Sequence, residues 1–300
     1  MNVFEQIQFQ NGVYLKTEIG FVFHVPHLKV ENQKTAFFGG WKWVDENSNC
    51  RFLDQATAWA VDQGCHHLVG PYDFSTYYSY RFKIDEFERP AFYGEPNNQK
   101  QDLSLLESCG FHSLQLFETY HFSDIKQLIQ QAHSQLHGIE ELLLTKNLRV
   151  QKARLADIEN NLQEFFELSH NIFLDNYLYN PITFESFKNY FAYAIAPRAC
   201  WDSTVFLIDE LTNNRVGYCL NFRDPQFSHH LLVKSVGVLP NYRFMGSSFL
   251  GMFKKALELA PATDEKVSFC LMKAGNFPSL IAGKIQTQKQ NYALFIKKLI

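Results

Sequence analysis

The chain has 300 residues, enough for one large domain or two ordinary ones. Hydrophobic residues make up 46% and charged residues 20%, which excludes a mostly disordered chain because that much apolar surface can offset the entropy of ordering. A formal net charge of -3 excludes the strong basic excess of a dedicated nucleic-acid binder.

The 29 phenylalanines and 14 tyrosines predict cores built from rings. Six cysteines, at 50, 65, 109, 200, 219 and 270, stand singly with no CxxC and no metal-ligand spacing. They read as buried thiols in a reducing compartment, with no metal. Residues 1–10 lack the positive charge and apolar core of a signal peptide, and no stretch reaches the length of a membrane span. The expected setting is cytoplasmic.

In chain order, residues 12–25 read as a hairpin, aromatic and β-branched with a glycine in the middle. Residues 35–44 (TAFFGGWKWV) form a second strand whose paired glycines suggest a bulge or a close backbone approach. A helix follows over 52–63, on the spacing of Phe52, Leu53, Ala56, Trp59 and Ala60. Residues 66–69 are a short buried strand, 101–109 a helix stopped by Gly110, and 114–122 a strand. Residues 125–146, polar, Gln-rich and free of proline, read as a helical linker between a domain over 1–124 and a domain over 147–300. In the second domain the order is strand 148–153, a long helix 155–173 and a helix from Pro181 carrying Phe184, Phe187, Phe191 and Ile195. Two strands then flank a turn at 212–215, and a third spans 231–238. Loop 240–246, helix 247–259, strand 267–272, a short helix near 276–282 and strand 292–297 complete it. The fold class is mixed α/β with a hairpin-rich centre, not a run of βαβ units.

Chemistry concentrates in residues 232–250, LVKSVGVLPNYRFMGSSFL. Pro240 turns the strand out. A loop of small residues then feeds an amphipathic helix, and the first turn of a helix gathers backbone N–H groups and the positive end of the dipole, an arrangement that receives anions. Gly246 lacks the Cβ that would hold a phosphate away, Ser247 and Ser248 add hydroxyls, and Arg243 adds a positive charge. Read only locally, the same residues would be an ordinary N-cap and turn.

Strand, V-x-P-like turn, R-x-x-G-x-[small] and helix resemble the acyl-CoA signature of the GNAT N-acyltransferase superfamily, and the element order of residues 148–297 matches that family's order. The resemblance implies tandem GNAT-like domains, each a mixed, mostly antiparallel sheet flanked by helices, with acetyl-CoA or another acyl-CoA as co-substrate. It implies that backbone groups of Val236, Gly237 and Val238 meet the pantetheine arm. Amides of Arg243, Phe244, Met245, Gly246, Ser247 and Ser248 would hold the pyrophosphate. Asn276 falls where the family places a cofactor-contacting Asn, with Ser279 on the same helix. Two departures stand out: the strand over 231–238 has no carboxylate, and Gly283 and Lys284 occupy the region of the family's acidic Tyr. Proton-transfer candidates are then His229, Ser279 and Tyr292, with His230, Asp224 and Cys219 also in range.

The first half repeats the pattern in degraded form, from residues 37–44 through helix 52–63 to strand 66–69. Its helix-entry loop is Asp45-Glu46-Asn47-Ser48-Asn49-Cys50, where two carboxylates and no glycine would repel a pyrophosphate. It reads as a truncated GNAT-like domain that holds no CoA. The aromatic run 70–80 reads equally as pocket lining or as a loop closing a face.

The expected function is acyl-CoA-dependent N-acyl transfer, most simply acetyl transfer to a primary amine by direct attack in a ternary complex. A non-catalytic acyl-CoA-binding or scaffold protein is the alternative. An aminoacyl-tRNA-dependent transferase fits less well, because it has no need of a CoA loop. The expected partner is a small-molecule or peptide amine, with no nucleic acid and no membrane; oligomeric state is left open.

Overall fold

The computed structural model describes residues 5–9, 12–243, 246–285 and 288–300. In chain order the strands and helices are β1 (Glu5–Phe9), β2 (Gly12–Lys16), β3 (Phe21–Val30), β4 (Gln33–Gly39), α1 (Glu46–Asp62), β5 (His67–Gly70), β6 (Phe82–Lys83), α2 (Lys100–Ser108) and β7 (His112–Phe122). Then come α3 (Ile125–Gln135), α4 (Ile139–Leu144), β8 (Leu148–Lys152), α5 (Leu155–Glu159), α6 (Leu162–Phe173), α7 (Phe184–Tyr190) running into a π-helical turn, β9 (Val205–Asp209) and β10 (Asn214–Arg223). Last are β11 (His230–Val238), α8 (Ser247–Glu258), β12 (Lys266–Lys273), α9 (Phe277–Ala282) and β13 (Gln288–Lys298). This is the mixed, largely antiparallel α/β class expected from the sequence.

The chain divides into two compact units: Met1–Phe117 with Tyr177–Asn180 and Gln290–Ile300, and Glu118–Asn176 with Pro181–Lys289. These units depart from the division at 124 and 146 in three ways. The last strand belongs to the first unit, where its Phe295 and Ile296 pair with Gly70 and Val69 of β5. Residues 177–180 also join the first unit, accepting from Tyr72 Oη at the Leu178 carbonyl (2.7 Å). Residues 125–146 are no linker but part of the second unit's core, since Ile125, Leu128, Ala132 and Leu143 are buried there. The polar outer face of α3 outweighs this one apolar stripe in composition, so the segment reads as solvated. The long helix over 155–173 is likewise two helices, broken at Asn160-Asn161, where Asn161 becomes the N-cap of α6.

In the first unit the strand order is β1-β2-β3-β4-β5-β13, with β6 on β13. Phe38, Phe52, Leu53, Leu68, Leu106, Phe111 and Phe295 centre its core, and α1 contributes one apolar face to it. In the second unit residues 118–122 of β7 lead the order β7-β12-β11-β10-β9-β8. Its core packs Leu231, Val233, Val267 and Phe269 of the sheet against Met252, Phe253 and Leu257 of α8. Both units share one local plan: a strand, a crossover helix and a parallel neighbouring strand, β4-α1-β5 in one and β11-α8-β12 in the other.

Candidate functional site

The second unit's parallel pair opens into a fork. β11 and β12 pair over four residues, from His230↔Lys266 to Val233↔Phe269, and the pairing ends there although both strands continue. Two irregularities turn the strands apart. On β11 the register with β10 slips, so that Asn221 faces Val233 but Leu220 faces Ser235, which makes Lys234 the extra residue of a bulge. On β12 Leu271 takes a positive φ of 56°, and its N–H is held by Thr119 Oγ1 on β7 at 2.9 Å. Residues 234–237, half-buried, therefore present a strand edge to the opening. Val236, Gly237 and Val238 thus lie beside the fork. Gly237 has a further reason to be glycine: a Cβ there would stand 2.2 Å from Ile172 Cγ2 of α6.

The first turn of α8 lies beyond the fork. Gly246 is its N-cap at φ 82°, a left-handed conformation that a residue with a side chain adopts only with strain, and it offers no capping side chain to the N–H groups of the turn. The space in front of Gly246 is filled: a Cβ there would stand 2.0 Å from the Phe277 ring. Phe277 is held edge-on to Phe249 with ring centroids 5.6 Å apart. The glycine is thus required by its conformation and by an aromatic neighbour, as well as by any anion. Phe244 and Met245 lie outside the described residues.

Arg243 does not project as a bare charge. Its Nε donates to the Val238 carbonyl (2.9 Å) and its Nη2 to the Ile172 carbonyl (2.9 Å), tying the end of β11 to the end of α6. Ser248 is buried and donates to the Tyr242 carbonyl at 2.6 Å, which closes the loop. Ser247 opens the helix, half-buried. Asn276 caps α9, accepting from the Ser279 N–H at 3.0 Å. Ser279 is buried and donates its hydroxyl to Glu118 Oε2, where Tyr120 Oη also donates at 3.1 Å, while Lys289 Nζ donates to Glu118 Oε1 at 3.1 Å. Burial opposes ionisation of Glu118, but the bonds from Ser279, Lys289 and Tyr120 outweigh it and hold the carboxyl below its ordinary pKa. A Cβ at Gly283 would stand 3.0 Å from Tyr120 Oη, so a hydroxyl from β7 lies against the turn that ends α9.

The remaining candidates separate. Tyr292 belongs to the first unit, fully buried, with its hydroxyl on Glu95 Oε1 at 2.7 Å. His229 is an exposed turn residue at φ 68° whose carbonyl accepts from Glu265 and Lys266. Cys219 lies in the second unit's core, and burial pushes its thiol up to about 12. His230 is different: Nε2 lies 2.8 Å from Ser268 Oγ, Nδ1 lies 3.7 Å from Asp224 Oδ2, and His121 Nδ1 lies 2.7 Å from the same Ser268 Oγ. His230 and Asp224 are among the sequence candidates, but spacing gives no signal for His121 and Ser268, because the four members come from β7, the loop after β10, β11 and β12. Among the described residues no cluster of three or more His, Cys, Asp or Glu could hold a metal, and no helix is long and apolar enough to cross a membrane.

No family model matches the chain, and no curated protein matches it. Solved structures do. A GCN5-related glucosamine N-acetyltransferase region of a fungal multi-domain GH3 β-N-acetylglucosaminidase matches at TM-score 0.51 and 11% identity, over 95% of this chain and 32% of that one. A probable N-acyltransferase from Enterococcus faecalis matches at TM-score 0.50 and 7% identity, over 96% of this chain and 63% of that one. A GCN5-related N-acetyltransferase from Sphaerobacter thermophilus matches at TM-score 0.49 and 11% identity, over 97% and 81%. The chain has the fold of the GCN5-related N-acetyltransferases, the GNAT fold. At these identities the likeness is one of fold.

Proposed function

We propose that the second unit binds an acyl-CoA in the fork between β11 and β12 and transfers the acyl group to a primary amine, acetyl-CoA being the simplest donor. The observation that carries this reading is the conjunction of a strand edge opened at Val233↔Phe269 with a helix whose N-cap has no side chain. An extended amide-bearing arm suits the first and a pyrophosphate the second.

The thioester supplies the activated acyl group. The chain's own residues do the rest. Backbone groups of residues 236–238 position the arm, and the first turn of α8, with Arg243 bracing the loop, receives the negative charge. Asn276 and Ser279 shape α9 beside it. Tyr120 is the hydroxyl we assign to protonate the departing thiolate, because it occupies the place next to Gly283. Burial, followed by the neighbouring Glu118 charge, raises its pKa and keeps it protonated.

The test is release of free thiol from acetyl-CoA on addition of a panel of primary amines. Amine-dependent release supports the reading, and Tyr120→Phe should then slow it about 10-fold or more. Because β11 carries no acidic side chain, a second reading stands beside it: a protein that binds acyl-CoA without turning it over. Saturable CoA binding with no thiol release from any amine would favour that reading.

A further inference from the structure

Ser268 has no solvent exposure, yet its single hydroxyl touches two imidazoles, His121 Nδ1 at 2.7 Å and His230 Nε2 at 2.8 Å. A hydroxyl has one hydrogen, so it donates to one ring and accepts from the other. The direction is set at the far end. His230 Nδ1 faces the buried Asp224 Oδ2 at 3.7 Å, and with the His230 proton placed on Nδ1, towards that carboxylate, Nε2 keeps its lone pair. Ser268 then donates to His230, and His121 Nδ1–H donates to Ser268. Every hydrogen in the chain points the same way, from His121 towards Asp224.

The placement matters as much as the order. Val267 and Phe269, Tyr120 and Phe122, and Leu231 all belong to the core on the α8 side of the sheet. Ser268, His121 and His230 alternate with them and face the opposite side. That opposite face carries α6 and, past the Lys234 bulge, Ser235, whose hydroxyl reaches Tyr218 Oη (3.4 Å), itself bonded to Ser169 on α6 (3.1 Å). It is the polar face of the fork, whereas Val236, Val238, Phe249 and Phe253 make the α8 face largely apolar. Ser268 stands one residue before the last paired residue of β12, at the base of the opening.

We propose that His121, Ser268 and His230, with Asp224 as counter-charge, form a proton relay that takes up the proton lost by the attacking amine. This rests on the acyl-transfer reading given above. In the step, the amine nitrogen bonds to the thioester carbonyl carbon, the C–S bond breaks, and the thiolate leaves with its electron pair. Before attack the ammonium proton of the amine goes to His121, directly or through one water, while His121 hands its Nδ1 proton to Ser268 and Ser268 hands its own to His230; the second nitrogen proton, lost on collapse, balances the one the thiolate takes up. The positive charge comes to rest on His230 beside Asp224 and is later lost to solvent. Besides Asp224, Lys266 is the charged group acting on His230, and the Phe227 ring lies against it at 6.5 Å between centroids. Burial first, and Lys266 third, lower the His230 pKa, while Asp224 raises it; the ring is neutral and able to accept at neutral pH.

The experiment compares two small nucleophiles at concentrations high enough to react without a specific acceptor pocket. n-Butylamine must lose a proton to attack; hydroxylamine is largely uncharged at neutral pH. With acetyl-CoA as donor, Ser268→Ala should lower the butylamine-to-hydroxylamine rate ratio by about 100-fold. Ser268→Thr, which keeps the hydroxyl, should restore the ratio. The wild-type butylamine rate should fall on acidification with an apparent pKa below the ordinary imidazole value, and His230→Gln should remove that limb. The proposal is overturned if Ser268→Ala leaves the ratio unchanged, whether both rates stay or both drop together as for a damaged fold. A wild type that acylates neither amine instead removes the acyl-transfer reading, and the relay with it.

Discussion

The two strand–helix–strand units of this chain share a plan and differ in what fills it. In β4-α1-β5 the parallel pairing ends at Phe37↔Val69, and the chain after β5 folds straight back over the gap. Tyr72 N–H donates to the Phe38 carbonyl at 2.7 Å, and Asp73 Oδ1 accepts from the Gly40 N–H at 2.6 Å. At the start of α1, Asp45 Oδ1 accepts from the Ser48 N–H at 2.9 Å and Oδ2 from its hydroxyl at 2.6 Å, so the helix carries its own anion. In β11-α8-β12 the pairing also stops, but β12 runs on to Lys273 and the N-cap of α8 has no side chain. A fork and a helix N-terminus are therefore not enough to make a ligand site. In the first unit the chain supplies its own anion and closes the gap; in the second, the Phe277 ring covers the Cβ side of Gly246 and no side chain of the N-cap reaches the N–H groups of the turn.

The comparison can be broken most sharply by giving α8 an occupant. Ser247→Glu places a carboxylate in its first turn, as Asp45 does for α1, and should weaken CoA binding on the order of 100-fold by like-charge repulsion in titration calorimetry. Asp45→Ala should make the first unit no better a CoA binder, since the gap above β4 and β5 remains closed. Gly246→Glu is a poorer probe, because the Phe277 ring and φ of 82° make it a folding variant as well.

The next effect concerns what fills each fork. A Cβ at Gly39 would stand 2.3 Å from the Tyr72 carbonyl oxygen, a backbone atom that cannot rotate away. Gly39→Ala should cost about 3 kcal/mol in denaturant unfolding. Gly237→Ala meets side chains alone, Ile172 Cγ2 at 2.2 Å and the Phe173 ring at 3.3 Å, should cost about 1–2 kcal/mol, and should be partly relieved in a double-mutant cycle with Ile172→Ala, which removes Cγ2. Equal costs at the two positions would mean that the loop over the first fork is no more rigid than a side chain.

The smallest effect is on pH dependence. Burial is the main cause that lowers the pKa of His24 and His67 in the first unit and of His230 in the second. Each is neutral in the folded chain where the unfolded chain begins to bind a proton. Stability should therefore be fully present above about pH 6.5 and fall as the pH drops towards the folded values. Thermal unfolding followed from pH 7.5 to 5 should show this decline, and His230→Gln should make it shallower.

Much of this was legible in the sequence. The period of apolar residues locates α8, β11 and β12 to within a residue or two, and the loop from Arg243 to Ser248 marks the helix entry, but α1 begins at Glu46, inside the segment read as a loop, because its first turn is polar. Three things were not. Tertiary packing decides that α3 and α4 are core: α3 is apolar along one stripe only, and α4 buries Ile139 and Leu143 while Leu142 and Leu144 stay exposed. Pairing partners distant in sequence decide that β13 completes the first unit, as Phe295↔Gly70 shows. The group around Ser268 draws on residues 121, 224, 230 and 268, and no local pattern joins them. The same holds for the approach of Tyr120, on β7, to Gly283.

The most direct test of the central claim is isothermal titration of the whole chain with acetyl-CoA, for the wild type and for Ser247→Glu. One site per chain is expected, lost in the variant while its circular dichroism and unfolding midpoint stay near those of the wild type. No binding by the wild type, or binding that Ser247→Glu leaves intact, would contradict it.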